Sequence, residues 1–327
     1  MLSLLRRSRS GIQTRILFLN CLLGISVGIQ AQKFHLTEES AGVDSIVRTL
    51  ISAFDHVDII ALGEAHGRKL DSYLRIALVR HPDFVKKVRA IVVEFGSTTA
   101  QVTLESYIRG ENISPAQLAK VWKTTTQAAN GVWDDPIYTD FFAAVRDINS
   151  KLPANKQIRV FGGDPGPGDN RSRETTAVAV LKEQVLQKHA KALIIYGAAH
   201  FYRNAPQDYW ANMGEDTGIA RMVEREYPGR MIAVIPIGGP PHLPPGAAMA
   251  IDPDYRKFDR ALKTQVRPVL VPLDLLPFRD FTAEEFLGGG VFNFRGPGGC
   301  VSVFKGSNLR LGQMADACIY IGGALER

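Results

Sequence analysis

Short apolar runs that alternate with amphipathic segments constrain the fold of this chain more than any other feature of its sequence. Strands buried on both faces of a sheet appear as near-continuous apolar runs, and parallel strands need a helical crossover between them. The pattern therefore predicts an α/β fold, with a mostly parallel central sheet and helices on both faces. The five clearest runs are Asp58–Leu62, Arg89–Glu94, Gln157–Phe161, Lys191–Tyr196 and Met231–Ile235.

The segments between these runs have helical periodicity. Further short runs at Pro268–Leu273 and Asp316–Ile321 are candidates for the last strands. Leu70–Val79 predicts a helix whose apolar face comprises Leu70, Tyr73, Leu74, Ala77 and Leu78. Other helices are predicted at Val43–Phe54, Glu174–Lys188 and Gly218–Glu226.

Residues 98–149 are too long for a simple crossover and predict a helical insertion. Trp122, Trp133 and Tyr138 lie within it, and we expect it to act as a lid over a pocket. No internal repeat or low-complexity tail interrupts the remainder. We therefore expect residues 33–327 to form one domain.

Residues 1–31 have the pattern of a secretory signal peptide. Arg6, Arg7, Arg9 and Arg15 are followed by an apolar stretch, Ile16–Ile29. That stretch is about 14 residues, short of the ~20 that a helix needs to span a bilayer. The pattern predicts export with no stable membrane span after cleavage; an uncleaved anchor is the alternative.

The remaining charge and cysteine content argue against several classes of protein. The whole chain has 39 basic and 33 acidic residues; without the four N-terminal arginines the basic count is 35. This balance and the absence of a basic run with interleaved aromatics argue against a nucleic-acid partner. After cleavage only Cys300 and Cys318 remain, and they could pair or stay free.

Polar side chains follow four of the predicted strands. Parallel strands place their carboxyl ends at one edge of the sheet, where ligands bind. Taken singly, each residue has an ordinary structural explanation, such as a helix-start carboxylate or a turn aspartate. Together they predict a shared site, whose members are Glu64, His66, Glu94, Asp164 and His200.

Two histidines with two or three carboxylates can support hydrolysis in two ways. They can hold a divalent metal such as Zn or Mn that activates a bound water. They can instead act without metal, with a histidine that removes a proton from water. The chain has no GxSxG serine motif and no phosphate-binding glycine loop, so water is the expected nucleophile in both cases.

The motifs GEAHG (Gly63–Gly67), IVVEFG and GAAHFYR (Gly197–Arg203) resemble those of the erythromycin esterase/ChaN-like/Tiki superfamily, which includes haem-binding uptake and TraB-like proteins. The esterase branch implies lactone hydrolysis, with Glu64, His66, Glu94 and His200 at the matching positions. This chain has one residue between the first Glu and His, where the esterase motif usually has two. The Tiki branch implies a metal-dependent protease with its metal on Glu64, His66 and His200, and the ChaN branch implies an exported haem-binding protein.

We therefore expect an exported hydrolase that attacks an ester, a lactone or an amide in a small-molecule or peptide substrate. His66 is expected to be the general base or a metal ligand, and His200 to stabilise the oxyanion or be a second ligand. Arg68, Asp164 and Arg203 are the expected substrate-binding or supporting residues. The alternative is a ChaN-like haem or iron carrier without turnover, and a homodimer is possible in either case.

Overall fold

One eight-stranded sheet organises the computed structural model, which describes residues 33–206, 217–239, 255–287, 304 and 306–323. Its strands are β1 Ser40–Ala41, β2 Ile59–Glu64, β3 Ala90–Ser97, β4 Arg159–Asp164, β5 Ala192–Gly197, β6 Met231–Ile237, β7 Val269–Pro272 and β8 Ala317–Tyr320. They are ordered β1-β7-β8-β6-β2-β5-β3-β4 across the sheet. All pairings from β8 to β4 are parallel, and β1–β7 and β7–β8 are antiparallel.

Helices cover both faces of this sheet, which confirms the predicted α/β fold. Alternate residues of β2 enter two separate hydrophobic cores: Ile59 and Ala61 pack on one face, Ile60 and Leu62 on the other. The helices are α1 Val43–Ala53, α2 Lys69–Arg80, α3 Phe84–Lys87, α4 Gln101–Ile108, α5 Pro115–Lys123, α6 Pro136–Ser150, α7 Arg173–Gln184, α8 Ile219–Glu226, α9 Arg256–Ala261, α10 Ala283–Phe286 and α11 Leu311–Met314.

The predicted buried face of α2 is partly wrong. Tyr73, predicted to be buried, is 62% exposed, whereas Ser72 and Arg75 are buried beside Leu74 and Leu78. The buried face is therefore rotated toward two polar residues. Hydrophobic periodicity cannot locate such a face, because its polar members are matched by partners elsewhere in the fold.

The predicted insertion contains α4, α5 and α6: α4 packs beside β4, α5 beside β3, and α6 against α2 and α4. Two of these helices begin at side-chain caps that are recognisable in the sequence. Ser114 and Gln117 form a capping box at α5, and Asp135 accepts a hydrogen bond from the Ile137 N–H at the start of α6. Residues 98–149 are therefore helix-rich, and their standing as an insertion or lid stays a prediction.

Several predictions fall outside the described residues, among them the signal peptide, Cys300 and the glycine-rich segment 288–299. Cys318 is described: it is a buried free thiol in β8. Within the described residues, none of the helices has the length and apolar character to cross a bilayer.

Candidate active site

The carboxyl ends of four adjacent parallel strands form the site. β2, β5, β3 and β4 are neighbours in the sheet, and Glu64 pairs directly with Gly197. The β3–β4 register shifts between Val93 and Ser97, the stretch that contains Glu94. A bulge of this kind re-aims side chains at the edge of a sheet. The structure therefore brings Glu64, His66, Glu94 and His200 to one edge.

His66 is the accessible histidine of this site. Its side chain is 26% exposed, and its Nδ1 lies 3.0 Å from Oε1 of Glu64. The ring packs edge-on against Trp133, with ring centroids 4.7 Å apart. Glu64 and Trp133 together fix the orientation of the imidazole and leave Nε2 for another partner.

Nε2 of His66 lies over Gly197 and beside Glu94. A β-carbon built on Gly197 would lie 3.0 Å from Nε2 of His66 and 3.5 Å from Oε2 of Glu94. The backbone of Gly197 is not left-handed, with φ of −51°. Glycine is needed here for space, because a side chain would displace the imidazole.

Glu64 is held from two sides by buried partners. Its Oε2 accepts a hydrogen bond from Arg75, and its Oε1 accepts one from the Tyr138 hydroxyl at 3.0 Å. The same hydroxyl accepts the N–H of Gly67, which has a left-handed φ of 75°. Burial opposes ionisation of Glu64, but the charge of Arg75 and the bond to His66 outweigh it and lower the pKa.

Arg75 is itself enclosed by aromatic rings. Its guanidinium carbon lies 5.0 Å from the ring centroid of Phe95, 4.9 Å from that of Tyr138 and 5.6 Å from that of Phe141. Stacking of this kind suits a guanidinium better than an ammonium. The predicted insertion, through α6, thus supplies two of the three rings around Arg75, Tyr138 and Phe141, and the hydroxyl that binds Glu64; Phe95 belongs to β3.

His200 and Glu94 form a second, closed pair. Nε2 of His200 lies 3.2 Å from Oε1 of Glu94, and Nδ1 donates to Oε1 of Glu174. The His200 side chain is only 3% exposed. Burial disfavours its protonated form, but the charge of Glu94 and the bond to Glu174 outweigh burial and raise the pKa to about 9. His200 is therefore a buried cation at neutral pH.

Three more contacts fix Glu94. Its Oε1 also accepts from Arg173 at 2.8 Å and from the Gln127 amide at 3.1 Å, and its Oε2 accepts from the Gly197 N–H at 2.7 Å. Burial alone would raise its pKa, but the nearby His200 and Arg173 hold the pKa well below the usual range. Glu94 is thus an ionised, immobilised carboxylate.

The buried charges of the site balance. Three carboxylates, on Glu64, Glu94 and Glu174, face three cations, on Arg75, Arg173 and protonated His200. Buried ions are tolerated when they are paired and hydrogen-bonded in this way. Burial of His66 lowers its pKa, but the bond to Glu64 and the charge of Glu94 outweigh burial and raise it. His66 is thus the accessible group of the cluster that can exchange a proton.

The residues do not fit the predicted Zn or Mn site. Both oxygens of Glu64 accept hydrogen bonds, one of them from a guanidinium, and both ring nitrogens of His200 are used. A divalent cation would have to displace these donors and sit beside Arg75. In the described part of the chain, no group of three or more His, Cys, Asp or Glu side chains is arranged to hold a metal ion.

The three predicted substrate-binding residues, Asp164, Arg68 and Arg203, all bind groups of the protein itself, and their binding of a substrate stays a prediction. Asp164 is buried and accepts from the N–H of Thr126 at 2.8 Å and its hydroxyl at 2.6 Å, so it fixes the loop that carries Gln127. Arg68 binds Asp71 at 2.8 Å and the Gly238 carbonyl at 3.1 Å, and it ties α2 to the loop after β6.

Arg203 does not reach the site. It binds Asp316 at 2.6 Å and the Met231 carbonyl at 2.9 Å. Met231 pairs with Ile59, five residues before Glu64. That separation corresponds to about 16 Å along a strand. The chain after β5 turns back along the sheet, so the Arg203 guanidinium lies away from the edge that carries His66.

Sequence reasoning also missed several residues of the cluster: Arg75, Gln127, Arg173 and Glu174. Arg75 lies on α2, where a charged residue usually faces solvent, and its burial beside Leu74 is visible only in the fold. Arg173 and Glu174 resemble the surface charges that open many helices. Nothing in the sequence distinguishes them from that common case.

No protein-family profile and no curated protein sequence matches the chain. Solved structures do match. A succinoglycan biosynthesis protein has a TM-score of 0.58 at 11% identity, over 90% of this chain and 95% of its own. A protein from Bacillus cereus has a TM-score of 0.55 at 11% identity, over 86% and 92%.

An erythromycin esterase, EreC in its open conformation, has a TM-score of 0.50 at 10% identity, over 88% of this chain and 98% of its own. At these identities the likeness concerns the fold alone. The chain therefore has an erythromycin esterase-like fold. The resemblance predicted from the three motifs is confirmed at that level.

Proposed function

We propose that this chain is a hydrolase in which His66 activates water for attack on an ester, a lactone or an amide. The observation that carries the proposal is the position of His66. Its Nδ1 is held by Glu64 at 3.0 Å, while its Nε2 lies at a partly exposed edge beside Glu94. A base oriented through one nitrogen and available through the other is the arrangement that general-base catalysis requires.

In the proposed reaction, Nε2 of neutral His66 removes a proton from water as the water oxygen bonds to the substrate carbonyl carbon. The carbonyl oxygen becomes negative in the tetrahedral intermediate. When that intermediate collapses, the bond to the leaving oxygen or nitrogen breaks and His66 returns the proton to it. Glu64, kept ionised by Arg75, stabilises the imidazolium between these two steps.

The proposed role of His200 differs from the predicted one, which was to stabilise the oxyanion or bind a metal. With both ring nitrogens bound to carboxylates, it has no N–H left for a substrate oxyanion. It acts instead as a fixed positive charge that keeps Glu94 ionised. Water, rather than a side chain, is the proposed nucleophile, since none of the cluster residues that the structure describes is a serine or a cysteine.

We also propose that the protein is exported, on the strength of the N-terminal pattern alone. The test is the N-terminal sequence of the protein recovered from a secreting host. Cleavage close to Ala31 supports export, and an intact N-terminus on protein retained in the cytoplasm contradicts it.

The test of hydrolysis is a panel of aryl esters, lactones and peptide amides assayed with the wild type and His66→Ala. General-base catalysis contributes about 10²- to 10⁴-fold, so the variant should lose at least a hundred-fold in kcat. His35→Ala is the matched control, because His35 is half exposed and forms a surface contact with Asp274 at 2.8 Å. Turnover that survives in His66→Ala at more than a tenth of the wild-type rate contradicts the proposal.

A further inference from the structure

The first turn of α7 contributes two adjacent charged residues to the buried cluster. Arg173 donates to Oε1 of Glu94 at 2.8 Å, and Glu174 accepts from Nδ1 of His200. Ser172 caps this helix by accepting the Thr175 N–H at 3.1 Å. The capped end of this one helix therefore supplies a positive side chain that binds Glu94 and a negative side chain that binds His200.

Glu174 is not a surface charge of the usual helix-start kind. It is 1% exposed, and so is Glu94, with the His200 ring between the two carboxylates. A carboxylate buried to this degree strongly destabilises a fold unless a cation accompanies it. Glu174 is thus a second buried carboxylate of the site. Its contact with His200 fixes the ring from the side opposite Glu94.

We propose that Arg173 and Glu174 are positioning residues of the active site. Glu174 orients the His200 ring so that Nε2–H points at Glu94, and Arg173 and His200 together hold Glu94 beside Nε2 of His66. The catalytic consequence rests on the proposed hydrolysis. The charge and orientation of His200 do not, and they can be measured without turnover.

Removal of the Glu174 charge tests the first half of this arrangement. With glutamine at that position, His200 faces one carboxylate instead of two and is expected to become neutral at lower pH. A neutral imidazole has one N–H, which can serve either Glu94 or residue 174 but not both. Glu94 then loses a charged partner, and the electrostatic environment of His66 changes with it.

The first measurement uses the wild-type full chain. Histidine side-chain ¹⁵N NMR spectra are recorded from pH 6 to 10, and the His200 signals are assigned by their loss in His200→Asn. His200 is expected to have both nitrogens protonated at pH 8. A neutral His200 at pH 7.5 in the wild type overturns the proposal, and this outcome requires no variant at position 174.

The second measurement compares Glu174→Gln with Glu183→Gln, an exposed glutamate of the same helix. Loss of an orienting partner of this kind typically reduces activity about ten- to a hundred-fold. Glu174→Gln should show that fall in kcat with little change in KM. The acid limb of its pH profile should lie at higher pH, because a cation near His66 has been lost.

Glu183→Gln should match the wild type in both respects. A folded Glu174→Gln protein with wild-type kcat, pH profile and His200 charge contradicts the proposal. If the wild type hydrolyses nothing in the panel, the proposed function fails, while the NMR result still decides whether Glu174 holds His200 as a cation.

Discussion

The two histidines of the site have similar surroundings in the sequence and opposite roles in the structure. His66 follows β2 and His200 follows β5, two neighbouring strands whose ends Glu64 and Gly197 are directly paired. Each binds a glutamate through Nδ1. The difference lies at Nε2, which is bound to Glu94 in the 3% exposed His200 and is accessible in the 26% exposed His66.

In the proposed mechanism this difference separates a base, His66, from a fixed charge, His200. A histidine between two buried carboxylates keeps its proton across the physiological range, because loss of that proton would leave the carboxylates undercompensated. A histidine with one carboxylate and one open nitrogen can release and recover a proton. The role of each histidine is therefore set by the number of its anionic neighbours and by its access to solvent.

Stability should separate the two residues most strongly. His200→Ala removes a buried cation from two carboxylates, and breaking a buried pair in this way costs about 3–5 kcal/mol. His66→Ala should lower the free energy of unfolding by about 1 kcal/mol or less, since Glu64 keeps Arg75 and His66 is partly exposed. Urea denaturation of both variants measures the difference in their free energies of unfolding. Equal destabilisation would contradict the distinction between the enclosed His200 and the accessible His66.

The variant Gly197→Ala tests whether the His66 imidazole needs the space above Gly197. In Gly197→Ala the new β-carbon would lie 2.9 Å from Cε1 of His66, so the imidazole must move. A displacement of about 1 Å at a catalytic group can reduce the rate up to about 10²-fold, and we expect a fall of about ten- to a hundred-fold in kcat.

Gly323→Ala is the matched control for that variant. Its β-carbon would make an ordinary contact, 3.5 Å from the ring of Tyr255, and its backbone is not left-handed. Both proteins should unfold within about 1 kcal/mol of the wild type, a typical single-substitution effect. Full activity in Gly197→Ala would show that kcat does not depend on the position of the His66 imidazole.

A chelator should have the smallest effect of all. The oxygens of Glu64 and the nitrogens of His200 already bind protein donors, so catalysis through His66 should persist after prolonged dialysis against EDTA. The measurement is kcat before and after dialysis, with metal content followed in parallel. Activity that disappears with EDTA and returns with Zn or Mn would contradict the charge-balanced arrangement.

The sequence predicted the sheet and its functional edge because both depend on local signals. Continuous apolar runs located β2 to β6 to within a few residues, and parallel strands necessarily place their carboxyl ends together. This sufficed to group Glu64, His66, Glu94 and His200. The helix-rich character of residues 98–149 followed from length and composition in the same way.

The distinction between the two histidines could not be predicted, since it depends on tertiary contacts. Glu174 and Arg75 are charged residues on helices, where a charge usually means a solvated face. Arg203 was predicted to bind or support the substrate, but the path of the chain after β5 carries its guanidinium toward Asp316. Only the packed fold determines which charges meet.

The pH dependence of kcat/KM tests the central claim most directly. In the proposed mechanism the neutral form of His66 is the active one. Because the pKa of His66 is raised, kcat/KM should increase with pH along a limb whose midpoint lies above the ordinary 6.5 of histidine. It should decrease again as His200 loses its proton at a pKa of about 9. A profile that stays flat from pH 5 to pH 10 would contradict the assignment of His66 as the base and His200 as the fixed cation.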